Sequence, residues 1–180
     1  FGATTQLFST VLARFGIETT YVRGADPQAW RDTLRPNTRL MYCESPSNPV
    51  MELVDLDAFA ATGRAAGALT VVDNCLCTPA LQNPLRFGAD VVIHSATKSI
   101  DGQGRVLGGA IVGRRDFIHG AVLPVLRPAG PSLSPFNAWV LLKGLETLSL
   151  RMRAQSAAAL RLARYLEAHP AVQRVYYPGL

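Results

Sequence analysis

No apolar run in the 180-residue sequence approaches the roughly 20 residues that a membrane span needs, and no signal-peptide pattern opens it. No membrane partner is expected, and the cytoplasm is the expected compartment. Cysteine is scarce, with only Cys43, Cys75 and Cys77. An odd count without paired spacing excludes a disulfide framework and suits a reducing environment. Cys75-Leu-Cys77 lacks the two-residue gap of a redox or zinc pair, and His94, His119 and His169 lie scattered, so no metal site is expected. The cysteines read as small apolar side chains near strand ends. Charged residues make up 17% against 48% hydrophobic, which excludes intrinsic disorder. Lysine is nearly absent: Lys98 and Lys143 are the two in the sequence. The net charge of +5 is therefore mostly arginine. Arg151, Arg153, Arg161 and Arg164 share one helical stretch and read as a solvated face. No aromatic interleaving or nucleic-acid motif accompanies them, so no nucleic-acid partner is expected.

What is present is an alternation of helical and extended segments. Thr4 or Thr5 caps a first helix with Leu7, Phe8, Val11, Leu12 and Phe15 on its apolar face, and Gly16 ends it. Ile17 to Val22 reads as a strand. Asp26-Pro27 opens a short helix to about Leu34. Thr38 to Glu44 is a strand, stopped by the proline-locked loop Glu44-Ser-Pro-Ser-Asn48-Pro49. A helix from Asp55 to Ala66, closed by Gly67, crosses over to a strand ending at Asp73. A short helix over Pro79 to Phe87 precedes the strand that ends at His94. A glycine-dense loop, Asp101 to Gly109, then leads into the short strand Ala110 to Gly113. Its glycine spacing is wrong for a dinucleotide loop, and a strand rather than a helix follows. Ser134 to about Leu148 and Leu150 to Ala168 are long amphipathic helices, and Val172 to Tyr177 alternates like a strand. The fold class is α/β, a mostly parallel sheet flanked by helices.

Two strand ends carry chemistry. Ala68-Leu-Thr-Val-Val-Asp73-Asn74 ends in a carboxylate, and Asp90-Val-Val-Ile-His-Ser-Ala-Thr-Lys98 ends in hydroxyls and an amine. Open α/β sheets bind ligands beyond the carboxyl ends of their strands. An amine able to form a Schiff base, beside an acid able to hold a pyridinium, is the minimal kit for pyridoxal 5'-phosphate. A lysine buried at a strand end is nucleophilic because burial disfavours its charge. Ser95 and Thr97, two apart in extended geometry, face one side and can donate to a phosphate. Taken alone, Lys98 reads as a surface lysine and Asp73 as a turn residue. Together, on successive strand ends, they favour the cofactor.

Ser95-Ala-Thr-Lys98, Val71-Val-Asp73-Asn74 and Glu44-Ser-Pro-Ser-Asn48-Pro49 together resemble the pyridoxal-phosphate enzymes of Cys/Met metabolism. Leu133-Ser-Pro135, Thr147-Leu-Ser-Leu-Arg-Met152 and Tyr177-Pro-Gly-Leu180 extend the resemblance along nearly the whole chain. Within that family, Phe1-Gly2, Asn74-Cys75, Asp101-Gly-Gln-Gly-Arg105 and Gly130-Pro-Ser-Leu-Ser-Pro-Phe136 are most similar to the sulfhydrylases that act on O-succinyl-homoserine. The resemblance implies the large domain of fold-type I enzymes (aspartate aminotransferase-like). It implies that Lys98 carries the cofactor and moves protons, and that Asp73 holds the pyridine nitrogen. It further implies that Ser95 and Thr97 bind phosphate and that Asn48 approaches the ring hydroxyl. Phe1 stands where many relatives stack a tyrosine. Phenylalanine stacks but transfers no proton. Ser99 stands where relatives usually carry an aromatic.

The implied reaction is γ-replacement on O-succinyl-L-homoserine by sulfide, giving homocysteine and succinate in methionine biosynthesis. The alternatives are cystathionine γ-synthase or methionine γ-lyase activity, or a non-catalytic piece that binds cofactor or oligomerises. The implied partners are the amino-acid substrate, sulfide and further copies of the chain in a dimer of dimers. The sequence opens without Met, which suggests a fragment. Residues 1–170 are expected to be part of the cofactor-binding domain, and 171–180 the start of a truncated C-terminal domain. Relatives draw a phosphate cradle, a Tyr/Arg pair and a substrate-carboxylate arginine from regions outside this sequence. The isolated chain is therefore expected to be inactive.

Overall fold

The computed structural model describes residues 1–22 and 24–180. Four strands, β1 (Leu40–Glu44), β2 (Leu69–Asp73), β3 (Val91–Ser95) and β4 (Gly109–Gly113), form one sheet in the order β1-β2-β3-β4. The first three are parallel and β4 runs antiparallel to β3. Helices α1 (Gly2–Gln6), α2 (Pro27–Thr33), α3 (Leu56–Ala66), α4 (Thr78–Leu81), α5 (Arg115–Phe117), α6 (Leu123–Ala129), α7 (Pro135–Glu146) and α8 (Leu148–Glu167) surround it. The α/β class, the mostly parallel sheet and the helical crossovers are as the sequence predicts.

Local chemistry explains the well-read elements. Asp26 accepts from Gln28 N at 2.8 Å with Pro27 next in line, so α2 starts there. Asp55 accepts from Ala58 N at 2.9 Å to start α3, and Ser134 accepts from Asn137 N at 3.1 Å to start α7. Register then sorts the strand side chains. Cys43 pairs with Val72, so these two and Met41 share one face. That face packs on Trp30, Leu56, Phe59 and Ala89, the main buried cluster, where the Trp30 and Phe59 rings meet edge-on at 5.5 Å. Tyr42, Val71, Asp73, Ile93 and Ser95 lie on the other face. A second cluster, Ala96, Ile100 and Leu141, fastens the turn after β3 to α7.

Four expectations need correction. Ile17 to Val22 pairs with no strand among the described residues. Without a neighbour to complete a ladder, the apolar alternation leaves Ile17 and Tyr21 exposed. Val172 to Tyr177 is irregular for the same reason. The first helix begins at Gly2 with Phe1 as its cap, and the Thr5 hydroxyl donates back to Phe1 O at 3.4 Å instead of capping. It continues through a wide turn (Leu7–Val11) and a tight one (Leu12–Phe15) to Gly16, whose φ of 75° closes it. The helix expected over Pro79 to Phe87 is two pieces. Gln82 is extended, and Pro84 starts a separate turn, Pro84–Phe87.

Candidate active site

Asp73 and Lys98 stand at the same edge of the sheet. Asp73 is the last residue of β2, and its neighbour in β3 is Ile93, two residues before Ser95 on the same face. Asp73 is buried, yet both carboxylate oxygens have donors. Oδ1 accepts from Cys75 N at 3.0 Å and Oδ2 accepts from the Tyr42 hydroxyl at 3.1 Å. An ionised carboxylate offers about four lone-pair sites, so acceptor capacity remains. Burial first, and the Asp73 charge second, push the Tyr42 phenol well above the usual tyrosine range. Phe8 meets the Tyr42 ring edge-on at 5.3 Å.

The loops that carry this edge are locked by one buried amide. Asn74 is fully buried, and its Nδ2 donates to Thr78 O at 3.1 Å and Gln82 O at 2.9 Å. Gln82 Nε2 donates to Asn74 Oδ1 at 2.8 Å and to Ser45 O at 2.9 Å. The turns after β1 and β2 therefore form one body. Cys75 is more than the apolar filler expected of it. Its Sγ accepts from Ser95 N at 2.7 Å, tying β3 to the loop after β2. Its thiol is pushed up to about 12, by burial first and then by a hydrogen bond to Asp73.

Past Ser95 the chain turns at once into a helical turn, Ala96–Ile100, so Ser95 and Thr97 are not two steps of an extended strand. The Thr97 hydroxyl donates to Gly108 O at 3.2 Å and accepts from Gly108 N at 3.0 Å, which clasps the turn to the start of β4. Lys98 interrupts the turn with φ −83° and ψ −121°. It is exposed, where the sequence reading has it buried. The strand that would shelter it has already ended. Among the described residues its amine makes no ion pair and no hydrogen bond, and the Ser95 hydroxyl is likewise uncommitted.

The backbone beneath Lys98 is held from three sides. Arg151 of α8 donates from Nη1 to Ser99 O at 2.8 Å, and from Nη2 to Ile100 O at 3.3 Å and Gly144 O at 2.8 Å. This residue is half-buried and committed, so it does not belong to the solvated arginine face expected of α8. Asp101, whose side chain is fully buried, accepts from Arg105 N at 2.7 Å, Arg105 Nε at 2.8 Å and Gln103 N at 3.3 Å. These bonds, that from the Arg105 backbone N–H foremost, hold its carboxyl below the usual range. Gly144 lets α7 lie against the carbonyls of Ile100 and Asp101, where a Cβ would collide with both.

Asn48 and Phe1 are both exposed. The Phe1 nitrogen lies 2.9 Å from Glu44 Oε2, and Glu44 pairs with Asp73, so Phe1 reaches the same edge. Among the described residues, no hydrogen bond joins the side chains of Lys98, Asp73, Asn48 and Thr97 to one another. Sequence reasoning missed Tyr42 and Arg151. Tyr42 becomes visible only when β1 is paired with β2. Arg151 lies 52 residues from Ser99 with no local signal.

The family model for "Cys/Met metabolism PLP-dependent enzyme" matches residues 1–180. The chain belongs to that family. It is 58% identical over 180 residues to the O-succinylhomoserine sulfhydrylase of Pseudomonas aeruginosa, covering all of this chain and 44% of that protein. The identity to the enzyme of the same name from Mycobacterium tuberculosis is 48%, with the same coverage. The crystal structure of cystathionine γ-lyase from Lactobacillus plantarum complexed with L-serine superposes with a TM-score of 0.96 at 35% identity, over 99% of this chain and 47% of that one. The chain thus spans less than half the length of each of these three relatives. Pyridoxal phosphate is the cofactor of the family, and the residues present fit it. The uncommitted Ser95 hydroxyl ends β3 and the uncommitted Lys98 amine follows it, and a buried carboxylate with spare acceptor capacity ends β2. No helix among the described residues is long and apolar enough to cross a membrane.

Proposed function

We propose that this chain supplies the cofactor-binding core of an enzyme that replaces the γ-substituent of O-succinyl-L-homoserine with sulfide, giving homocysteine and succinate. The observation that carries the reading is the 58% identity, over the whole chain, to a protein named for that activity. Cystathionine γ-synthase and methionine γ-lyase chemistry are the competing readings, since relatives 40% identical to this chain carry those names. In this reading residues 1–170 belong to the large domain and residues 171–180 begin the next. The full-length protein is a cytoplasmic homo-oligomer, a dimer of dimers.

Pyridoxal phosphate, when bound, supplies an electron sink that makes the hydrogens near the substrate amino group acidic. The residues of this chain do the rest. Lys98 would hold the cofactor through its amine and would move protons at the α and β carbons of the substrate. Asp73 keeps a proton on the pyridine nitrogen. Ser95, whose hydroxyl is uncommitted, would donate to the phosphate, and Thr97 would do so only by giving up its bond to Gly108 O, to which its one hydroxyl hydrogen is committed here. Asn48 approaches the ring hydroxyl and Phe1 stacks on the ring without exchanging protons. Holding the lysine backbone rigid while its side chain is free suits a group that must attach, detach and return.

Borohydride reduction of the cofactor-loaded full-length protein, followed by peptide mapping, tests the assignment. The label is expected on Lys98, and a label on Lys143 instead would remove the basis for every role above. Product analysis with O-succinyl-homoserine and either sulfide or cysteine separates the readings: homocysteine from sulfide supports this one, and cystathionine from cysteine in its place overturns it.

A further inference from the structure

We infer that Tyr42 is a positioning residue for Asp73, and that Phe8 of the first helix steadies its ring; the inference rests on the role given to Asp73 above. The phenol oxygen donates to Asp73 Oδ2 at 3.1 Å, while Cys75 N occupies Oδ1 at 3.0 Å. Two donors on opposite oxygens fix the rotation of a carboxylate that has to meet a pyridine nitrogen in line. Cys75 N is backbone and belongs to the β2 turn. Tyr42 is therefore the one side chain among the described residues that orients Asp73 from outside its own loop.

The phenol is itself constrained. Register places Tyr42 on the face of Asp73, one strand over, and Phe8 closes on its ring edge-on at 5.3 Å. The charged and titratable neighbours of this pair are Glu44, Cys43, Cys75 and His94, whose charged form burial disfavours. The two cysteines are held protonated by burial, so the negative charges facing the phenol are those of Asp73 and Glu44. Both favour the neutral phenol, which remains a hydrogen-bond donor throughout the neutral and mildly alkaline range. The first helix thereby reaches Asp73 through two side chains, Phe8 and Tyr42.

A residue that only packs would lower stability and leave the chemistry alone. A positioning residue changes turnover and the cofactor's surroundings. In the full-length, cofactor-loaded protein, Tyr42→Phe keeps the ring and deletes the donor. The expected result is a fall in kcat of about tenfold, the scale of one hydrogen bond to a charged group, with KM changed less than about twofold and a displaced visible absorption band. Phe8→Leu, which removes the ring packed on Tyr42 and leaves the donor, is expected to act in the same direction and more weakly. Asp73→Asn is run beside them. In the cofactor-free protein, ultraviolet titration referenced to Tyr42→Phe follows the Tyr42 phenol, and Asp73→Asn is expected to make it ionise at lower pH. If Tyr42→Phe and Phe8→Leu both match wild type in kcat and absorption while Asp73→Asn is impaired, this inference is overturned and the role of Asp73 stands. If Asp73→Asn is also unimpaired, both fall. Should Tyr42→Phe fail to fold, Phe8→Leu decides: a wild-type kcat and band overturn the inference.

Discussion

Removing the Arg151 side chain should loosen the Lys98 turn selectively. The guanidinium makes three bonds to carbonyls of Ser99, Ile100 and Gly144, and its Nε donates to Thr147 Oγ1 at 3.1 Å. A hydrogen bond involving a charged group contributes roughly 1.5–3 kcal/mol when well shielded. Arg151 is half-buried, water can reach the vacated carbonyls, and bonds from one side chain are not additive. A net loss of about 2 kcal/mol for Arg151→Ala is the resulting figure, nearer one strong bond than three. In peptide-resolved hydrogen exchange, that corresponds to a roughly 30-fold loss of protection over residues 96–104. The β2 peptide, residues 69–73, lies outside these contacts and should keep its protection unless global opening governs it. Arg151→Lys should restore little, because a single ammonium cannot span three carbonyls in a fixed fork. Unchanged protection at 96–104 in Arg151→Ala, within about twofold, would refute the claim that this arginine holds the turn.

Two further perturbations test the same picture. Gly144→Ala should destabilise by about 1–3 kcal/mol, since the new Cβ meets the backbone of Ile100 and Asp101, neither of which can yield; urea denaturation reads it as a lower midpoint. His94 is buried with its Nδ1 lacking a hydrogen-bond partner among the described residues, and burial holds its pKa below the ordinary 6.5. The unfolded chain therefore binds that proton more readily, so the stability contribution of neutral His94 is complete above about pH 6.5 and declines as pH falls toward the lower folded value. His94→Gln should flatten the stability profile across that interval, and a slope equal to wild type would assign the pH dependence elsewhere.

Much of the fold was legible because its signals are local. Asp26-Pro27, Asp55, Gly67 and Ser134 mark helix ends through bonds within three residues, and the apolar runs before Asp73 and Ser95 can only be interior strands. The expected strands at Ile17 to Val22 and Val172 to Tyr177 failed because alternation specifies a face, while a strand also needs a partner with which to exchange hydrogen bonds. Nothing in either segment's own residues says whether that partner is at hand. The extended geometry assumed for Ser95 to Thr97 failed for a related reason. Gly108, eleven residues on, takes both hydrogen-bonding functions of Thr97, and Ile100 and Leu141 bury the turn.

The candidate site divides along the same line. Asp73 and Lys98 could be placed at one sheet edge from sequence because parallel strands joined by crossovers all end on the same side. The groups that aim them could not be placed that way. Tyr42 reaches Asp73 only through the β1–β2 register, and Arg151 reaches the lysine turn only when α8 folds back across it. This separation follows from the physical task. A reacting side chain needs room and an uncommitted polar end, so local sequence can advertise it. Its orientation has to come from groups outside its own loop, because a short turn with an exposed lysine cannot stiffen itself against water. The residues that orient Lys98 and Asp73 therefore lie far from them in sequence, and their substitutions should alter turnover and local exchange more than overall stability.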